Sequence, residues 1–450
     1  MVTRMSGLGV GTASDSSETP STSKSSDAGP IDLASRVRQT GLVSKVALHL
    51  DQAWSHSKTS PEGSIDVIDV FSGCGGMSAG FKCVNGVVPA FRIAQGVDID
   101  PIANQSFFAN LGVVPSLADV SELAQSDRLV DYVRLNCRPG APLVLIGCAP
   151  CQGFSSHRNA AGLADPRNNL FSDFISIAAR IRADAVVVEN VPEILTARYW
   201  PLVKDARERL EALGYFVNIS IHNMAEFGVP QERFRALLVA MRKPFSRLTG
   251  CVSRGEFKTV RDALGDLPEV SAGERSAEDD LHYSARHNPS TLAIIRAVPK
   301  NGGNRPAGIG PESLRRARER QGKAAFEDVY GRLWWDRPAI TVTAYARNPA
   351  SGRFIHPDQD RGLTIREAAL LQGFPRDYRF AGTLDQRFRQ IGNAVAPPFS
   401  AAVAAHILPA LQGHEIAVGE WTPGITAPIG ASFSRIIPSL KAGSRKVLGE

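Results

Sequence analysis

Cysteine is scarce, with six residues in 450, too few and too scattered for a disulfide framework, and that sparseness points to a reducing, cytoplasmic setting. No run of about 18 apolar residues stands out as a membrane span, so no membrane is expected. The first residues lack the basic, apolar and small-residue succession of a secretory signal. Cys148 and Cys151 form one C-x-x-C, but no second pair and no histidine pair at ligand spacing accompanies it, so no metal is expected. The glycine-rich turn at residues 72–80 is not followed by Gly-Lys-Ser/Thr, so it is not a loop built for a triphosphate.

What is present is ordinary for a folded protein: 43% apolar residues, 21% charged residues and a net charge of +6, a mild bias toward polyanionic partners. Residues 1–30 are dense in Ser, Thr, Gly and Asp and read as a disordered tail. Leu42 to Trp54 has the apolar spacing of a short helix. From Ile65 onward apolar strand-length runs alternate with helical periodicity: 65–71, 92–97, 141–146, 185–188, 215–219 and 236–240 read as strands. The alternation lapses at about Lys243 and gives way to a region rich in Gly, Pro and Arg. It resumes at Thr364 with a capped helix ended by Gly373 and Pro375, and Gln390 begins a helix predicted to run to about Leu411.

The chemistry-bearing residues sit at the ends of those strands, where open α/β sheets place their ligands. The turn Phe71-Ser72-Gly73-Cys74-Gly75-Gly76 lets backbone approach a nucleoside-like ligand. Asp98, at the tip of the second strand, suits a ribose hydroxyl. Asp119 suits either an adenine amino group or a helix cap. Cys151 follows a buried strand in a loop of small residues, which suits a nucleophile, while an inert core cysteine remains the alternative on this residue alone. Glu189 ends the strongest strand, a poor structural place for a carboxylate and a good one for sharing a proton with a substrate, although a carboxylate capping the next turn stays open as a reading. Arg233 and Arg235 flank a strand start and read equally as a solvated face or as donors to a carbonyl oxygen. The C-x-x-C leaves a dithiol redox reading open.

Taken in order, Asp69 to Phe81, Pro150-Cys151-Gln152, Glu189-Asn190-Val191, Gln231 to Arg235, Arg366 to Pro375 and Gln390 to Val395 resemble the DNA (cytosine-5) methyltransferases, over roughly Ile65 to Leu411. Ala149 departs from the proline that is common in that family before the Pro-Cys-Gln. The resemblance implies a Rossmann-like S-adenosylmethionine-dependent methyltransferase sheet with a smaller, irregular target-recognition domain. It divides the chain into a tail and short helix at 1–60, a catalytic and cofactor-binding domain at 61–242, target recognition at 243–362, a return to the catalytic domain at 363–412 and a polar tail at 413–450. It implies that Phe71, Gly73, Gly76, Asp98, Ile99, Asp119, Pro150, Leu170, Asn393 and Ala394 surround S-adenosylmethionine. By the same resemblance Cys151 adds to C6 of a flipped-out cytosine, Glu189 holds N3 and the amino group, and Arg235 with Arg233 binds O2. The expected partners are double-stranded DNA and a cognate restriction endonuclease acting on the same site, and the protein is expected to be a monomer. The same chemistry on tRNA, and a nucleic-acid-binding module without activity, are the alternatives.

Overall fold

The computed structural model describes residues 33–150, 169–321, 326–414, 416, 418–430 and 433–441; the start of the expected tail and the nucleophile candidate Cys151 lie outside them. Among the described residues there are nine strands: β1 (Ile65–Val70), β2 (Phe91–Asp98), β3 (Ser116–Leu117), β4 (Leu143–Gly147), β5 (Ala185–Asn190), β6 (Phe216–Asn223), β7 (Gln231–Glu232), β8 (Phe234–Met241) and β9 (Ala339–Ile340). The six longer ones match the apolar runs. β3, β7 and β9 have two residues each, too few to leave a periodic signal.

Every residue of β1, β4 and β5 is buried, as expected for strands covered on both faces. Alternation sends Val144 and Ile146 to one face and Leu143 and Leu145 to the other. Helices Gly76–Val84 and Pro397–Leu411 cover the first face, and Asn169–Ile181 and Trp200–Ala212 cover the second. The order is β3-β2-β1-β4-β5-β8-β6, parallel except for β8, which runs antiparallel to both of its neighbours. From β1 the chain moves outward to β2, and from β4 it moves outward the other way to β5. The order therefore reverses between β1 and β4, and the strand ends part there into a crevice.

Some sequence-based expectations change. The helix predicted from Gln390 to Leu411 is two helices, Leu384–Asn393 and Pro397–Leu411, because the residue before a proline is pushed out of the helical region: Ala396 is extended at φ −64, ψ 123. The stretch Leu384–Leu411 is also apolar and long enough to pass as a membrane span, but 78% of its apolar window is buried inside the protein, so it is core. Finally, the described part of 413–450 is not a free tail. Ile425 donates its N–H to the Ile219 carbonyl at 2.7 Å and Pro423 accepts from Ile219 N–H at 3.0 Å, so the segment covers the open edge of β6, and Ile425, Ile429 and Phe433 are buried against the second face.

At the other end, the short helix expected at 42–54 is a pair, Leu33–Leu48 and Leu50–Ser57. Trp54 is buried, donates Nε1 to Asp377 Oδ1 at 2.8 Å and lies 5.6 Å from the Tyr378 ring. Within 243–362 regular elements are few, and buried arginines do what ladders do elsewhere. Arg332 donates to the carbonyls of Ile295, Val298, His356 and Gln359 at 2.6–3.1 Å, around a small core of Ile295, Val298, Tyr330 and Ile355. Leu333, Val342 and Phe354 from the same stretch join the first-face core, and β9 pairs in parallel with β7.

Candidate active site

The turn after β1 is held in an unusual backbone path. Phe71, Gly73 and Gly75 have φ of 61, 51 and 88, and for a phenylalanine that conformation is a strain that folds retain mainly at functional sites. Asp98 fixes the turn: one carboxylate oxygen accepts from Gly73 N–H and the other from Asp100 N–H, both at 2.8 Å. Burial raises the Asp98 pKa. Gly76 opens the next helix so close to the segment after Asn393 that a Cβ there would lie 2.5 Å from the Val395 carbonyl oxygen. From behind, Tyr378 donates its hydroxyl to the Cys74 carbonyl at 2.6 Å.

These pieces wall a cleft of about 260 Å³ at the crevice between β1 and β4. Of the residues expected around the cofactor, Phe71, Gly73, Gly76, Asp98, Pro150, Asn393 and Ala394 line it. Ile99, Asp119 and Leu170 are not among its walls. Ile99 is 65% exposed beside Asp98. Asp119 accepts from Ser121 N–H at 2.8 Å and caps helix Val120–Gln125. Leu170 is half-buried on helix Asn169–Ile181.

Glu189, Arg233 and Arg235 reach the same cleft. Glu189 is 2% exposed at the end of β5, between β4 and β8. Arg235 Nε stands 3.0 Å from Oε1, and the Cys148 thiol donates to Oε2 at 2.9 Å. Arg233 is used differently from the sequence expectation. It is buried and donates to the carbonyls of Val342, Gly392 and Ala394 at 3.0, 3.1 and 3.3 Å, which ties the smaller region and the Gly392–Ala394 segment to the start of β8.

Several wall residues were not among those assigned to the site from sequence, Asp69 and Arg389 among them. Asp69 reads as a strand interior position, yet it is fully buried on the cleft wall and accepts from Ser78 Oγ at 2.6 Å; burial pushes its carboxyl up to about 7. Arg389, an exposed residue of helix Leu384–Asn393, also lines the cleft. The charge distribution narrows what fits. Asp69, Asp98 and Asp100 line one end, which suits hydroxyls and a positively charged ligand and disfavours a phosphate. At the other end a carboxylate and a guanidinium face the cleft, a donor and acceptor set for the edge of a planar ring.

A family model described as C-5 cytosine-specific DNA methylase matches residues 65–409. The Type II methylase M.HgiDII of Herpetosiphon aurantiacus is 32% identical over 78% of this chain and 97% of its own length. The Type II methyltransferase M1.HphI of Haemophilus parahaemolyticus is 34% identical over 77% of this chain and 87% of its own length. Among solved structures, a prophage-encoded E. coli chain assigned as a DNA modification methyltransferase superposes with a TM-score of 0.56 at 23% identity, covering 77% of this chain and 99% of that one. The S. pombe Dnmt2 methyltransferase gives 0.51 at 19% identity, over 77% of this chain and 99% of its own; at these identities the likeness speaks for the fold. The match of sequence over the whole catalytic region, on a sheet whose switch-point cleft carries the acid and the glycine turn, places this chain in the C-5 cytosine-specific DNA methylase family, a class of S-adenosylmethionine-dependent enzymes.

Proposed function

We propose that the cleft holds S-adenosylmethionine against the turn after β1 and a flipped-out cytosine against Glu189 and Arg235, and that Cys151 adds to the base at C6. The single observation that carries this is the carboxylate of Glu189, sequestered from water at a strand tip and gripped by Arg235 in the same cleft as the glycine turn. The residues fit the cofactor: the positive-φ turn and Gly76 allow close backbone approach, Asp98 is placed for ribose hydroxyls, and the acidic end favours a sulfonium. When bound, the cofactor supplies an electrophilic methyl group.

The remaining work falls to the chain. C5 of cytosine is a weak nucleophile, and addition of the Cys151 thiolate at C6 makes the ring enamine-like. Glu189 meets N3 and the exocyclic amino group, Arg235 meets O2, and the base leaves the duplex at a cost of a few kcal/mol. Arg233 positions the walls and does not touch the base. Residues 243–362 read the duplex, at a site that a cognate restriction endonuclease shares, and the enzyme works as a cytoplasmic monomer. The deciding experiment follows labelled methyl from S-adenosylmethionine into duplex DNA and, in parallel, tRNA, using native protein, Cys151→Ser and Glu189→Gln. Label on DNA cytosine that is lost in Cys151→Ser supports the assignment; label confined to tRNA, or label retained in Cys151→Ser, overturns it.

A further inference from the structure

The C-x-x-C leaves Cys148 without a part in the reaction just assigned. Its place follows from strand register. β4 and β5 pair in parallel with Gly147 opposite Val188, so the next pair along is Cys148 and Glu189. Residues at matching register on neighbouring parallel strands point to the same face, about 5 Å apart. The thiol and the carboxylate are therefore side by side, and Cys148 donates to Oε2 at 2.9 Å. On the other flank of β5, Glu189 faces Leu237 of β8, and Arg235, two residues before it, approaches Oε1 at 3.0 Å. The carboxylate is approached from both flanks, Oε2 by a hydrogen bond from the Cys148 thiol and Oε1 by the Arg235 charge at 3.0 Å, without a hydrogen bond of its own.

We infer that Cys148 is a positioning residue for Glu189, whose thiol keeps the carboxylate turned toward the cleft and releases Oε2 when the base arrives. A thiol suits this use because it is a weak donor, strong enough to orient a charged acceptor and weak enough to give way to the base. The inference rests on Glu189 being the group that meets the base. Two measurements separate its failure from failure of that assignment. The first does not depend on activity: alkylation of Cys148 by iodoacetamide, followed by peptide mass spectrometry. Negative charge beside the thiol disfavours the thiolate that reacts, so Glu189→Gln speeds modification several-fold; equal rates in the two proteins overturn the contact. The second is methyl transfer to DNA. Cys148→Ala lowers kcat/KM for DNA about tenfold, the worth of one hydrogen bond to a charged group, with the KM for S-adenosylmethionine and the melting temperature unchanged. Cys148→Ser restores most of the loss. Native activity in Cys148→Ala, or an equal loss in the alanine and serine variants accompanied by a lower melting temperature, overturns the positioning role. Faster alkylation in Glu189→Gln with no methyl transfer to DNA by the native protein keeps the contact and rejects the function assigned to the site.

Discussion

At the scale of single residues, the cleft couples charge to ligand. Asp69 is wholly buried, and that burial pushes its carboxyl up from the ordinary 3.8 to about 7. Its raised value means the folded state binds a proton that the unfolded chain has released, so the stability it contributes is full below the unfolded value and is lost as pH rises through about 7. A cationic ligand reverses the balance by favouring the carboxylate. Affinity for S-adenosylmethionine is therefore expected to rise between about pH 6 and about pH 8, and Asp69→Asn to flatten that rise, as read by calorimetry across the range. S-adenosylhomocysteine, which lacks the sulfonium charge, should show a shallower dependence. Glu189→Gln should lower methyl transfer by roughly 10² to 10⁴-fold with the melting temperature held, the range for a group that handles protons in the transition state. Asp119 gives a contrasting case. As a helix cap bonded to Ser121 N–H, its replacement by alanine should cost about 1 kcal/mol of stability and by asparagine much less. Equal stability of both variants in urea titration would count against the capping role.

At the scale of elements, what could be read from sequence and what could not divide along physical lines. β4 and β5 were legible because strands buried on both faces are almost continuously apolar, and a carboxylate that ends such a run, as Glu189 does, is conspicuous. Asp69 opened a recognisable block but was not assigned to the cleft wall, because a polar residue inside β1 gives no hint of which face it takes until the helix bearing Ser78 is in place. Arg233 read as a substrate ligand because sequence cannot tell a guanidinium that bonds carbonyls from one that awaits a base. The buried arginines of 243–362 were illegible for the same reason: in a polar stretch they look like solvated charge. Arg361 is the clearest, donating two bonds to Glu367 with both side chains 1% exposed. Burial alone would raise the Glu367 pKa, but the charge and hydrogen bonds of Arg361 pull it down to about 2. Stability from that pair is present above the unfolded value of 4.5 and is lost as pH falls toward about 2. Arg361→Met strands a buried carboxylate and should cost about 3–5 kcal/mol in denaturant titration.

At the scale of the whole molecule, the family domain is held from outside its own limits. The matched region ends at residue 409 and begins at 65, yet helix Leu33–Leu48 packs along Pro397–Leu411 and Trp54 backs the Tyr378 ring whose hydroxyl holds the Cys74 carbonyl. Tyr378→Phe removes that bond and should weaken cofactor binding several-fold while leaving Glu189 and Arg235 untouched. The check is a comparison of the cofactor Kd with the DNA Kd, where only the first should change. At the far end, the segment on the edge of β6 closes the side of the sheet most open to association. Removing residues from 422 onward should expose that edge and give concentration-dependent aggregation, measured by light scattering.

The cleft proposed for the cofactor takes its walls from Asp69 early in the chain and from Gln390 to Val395 late in it. A ribosome delivers these in sequence, at roughly 5–20 residues each second, so the two halves of the wall emerge many seconds apart. A nascent chain therefore carries the glycine turn, Glu189 and Arg235 long before it has the segment that closes the far wall of this cleft, and truncated products of interrupted synthesis are left with the cleft incomplete.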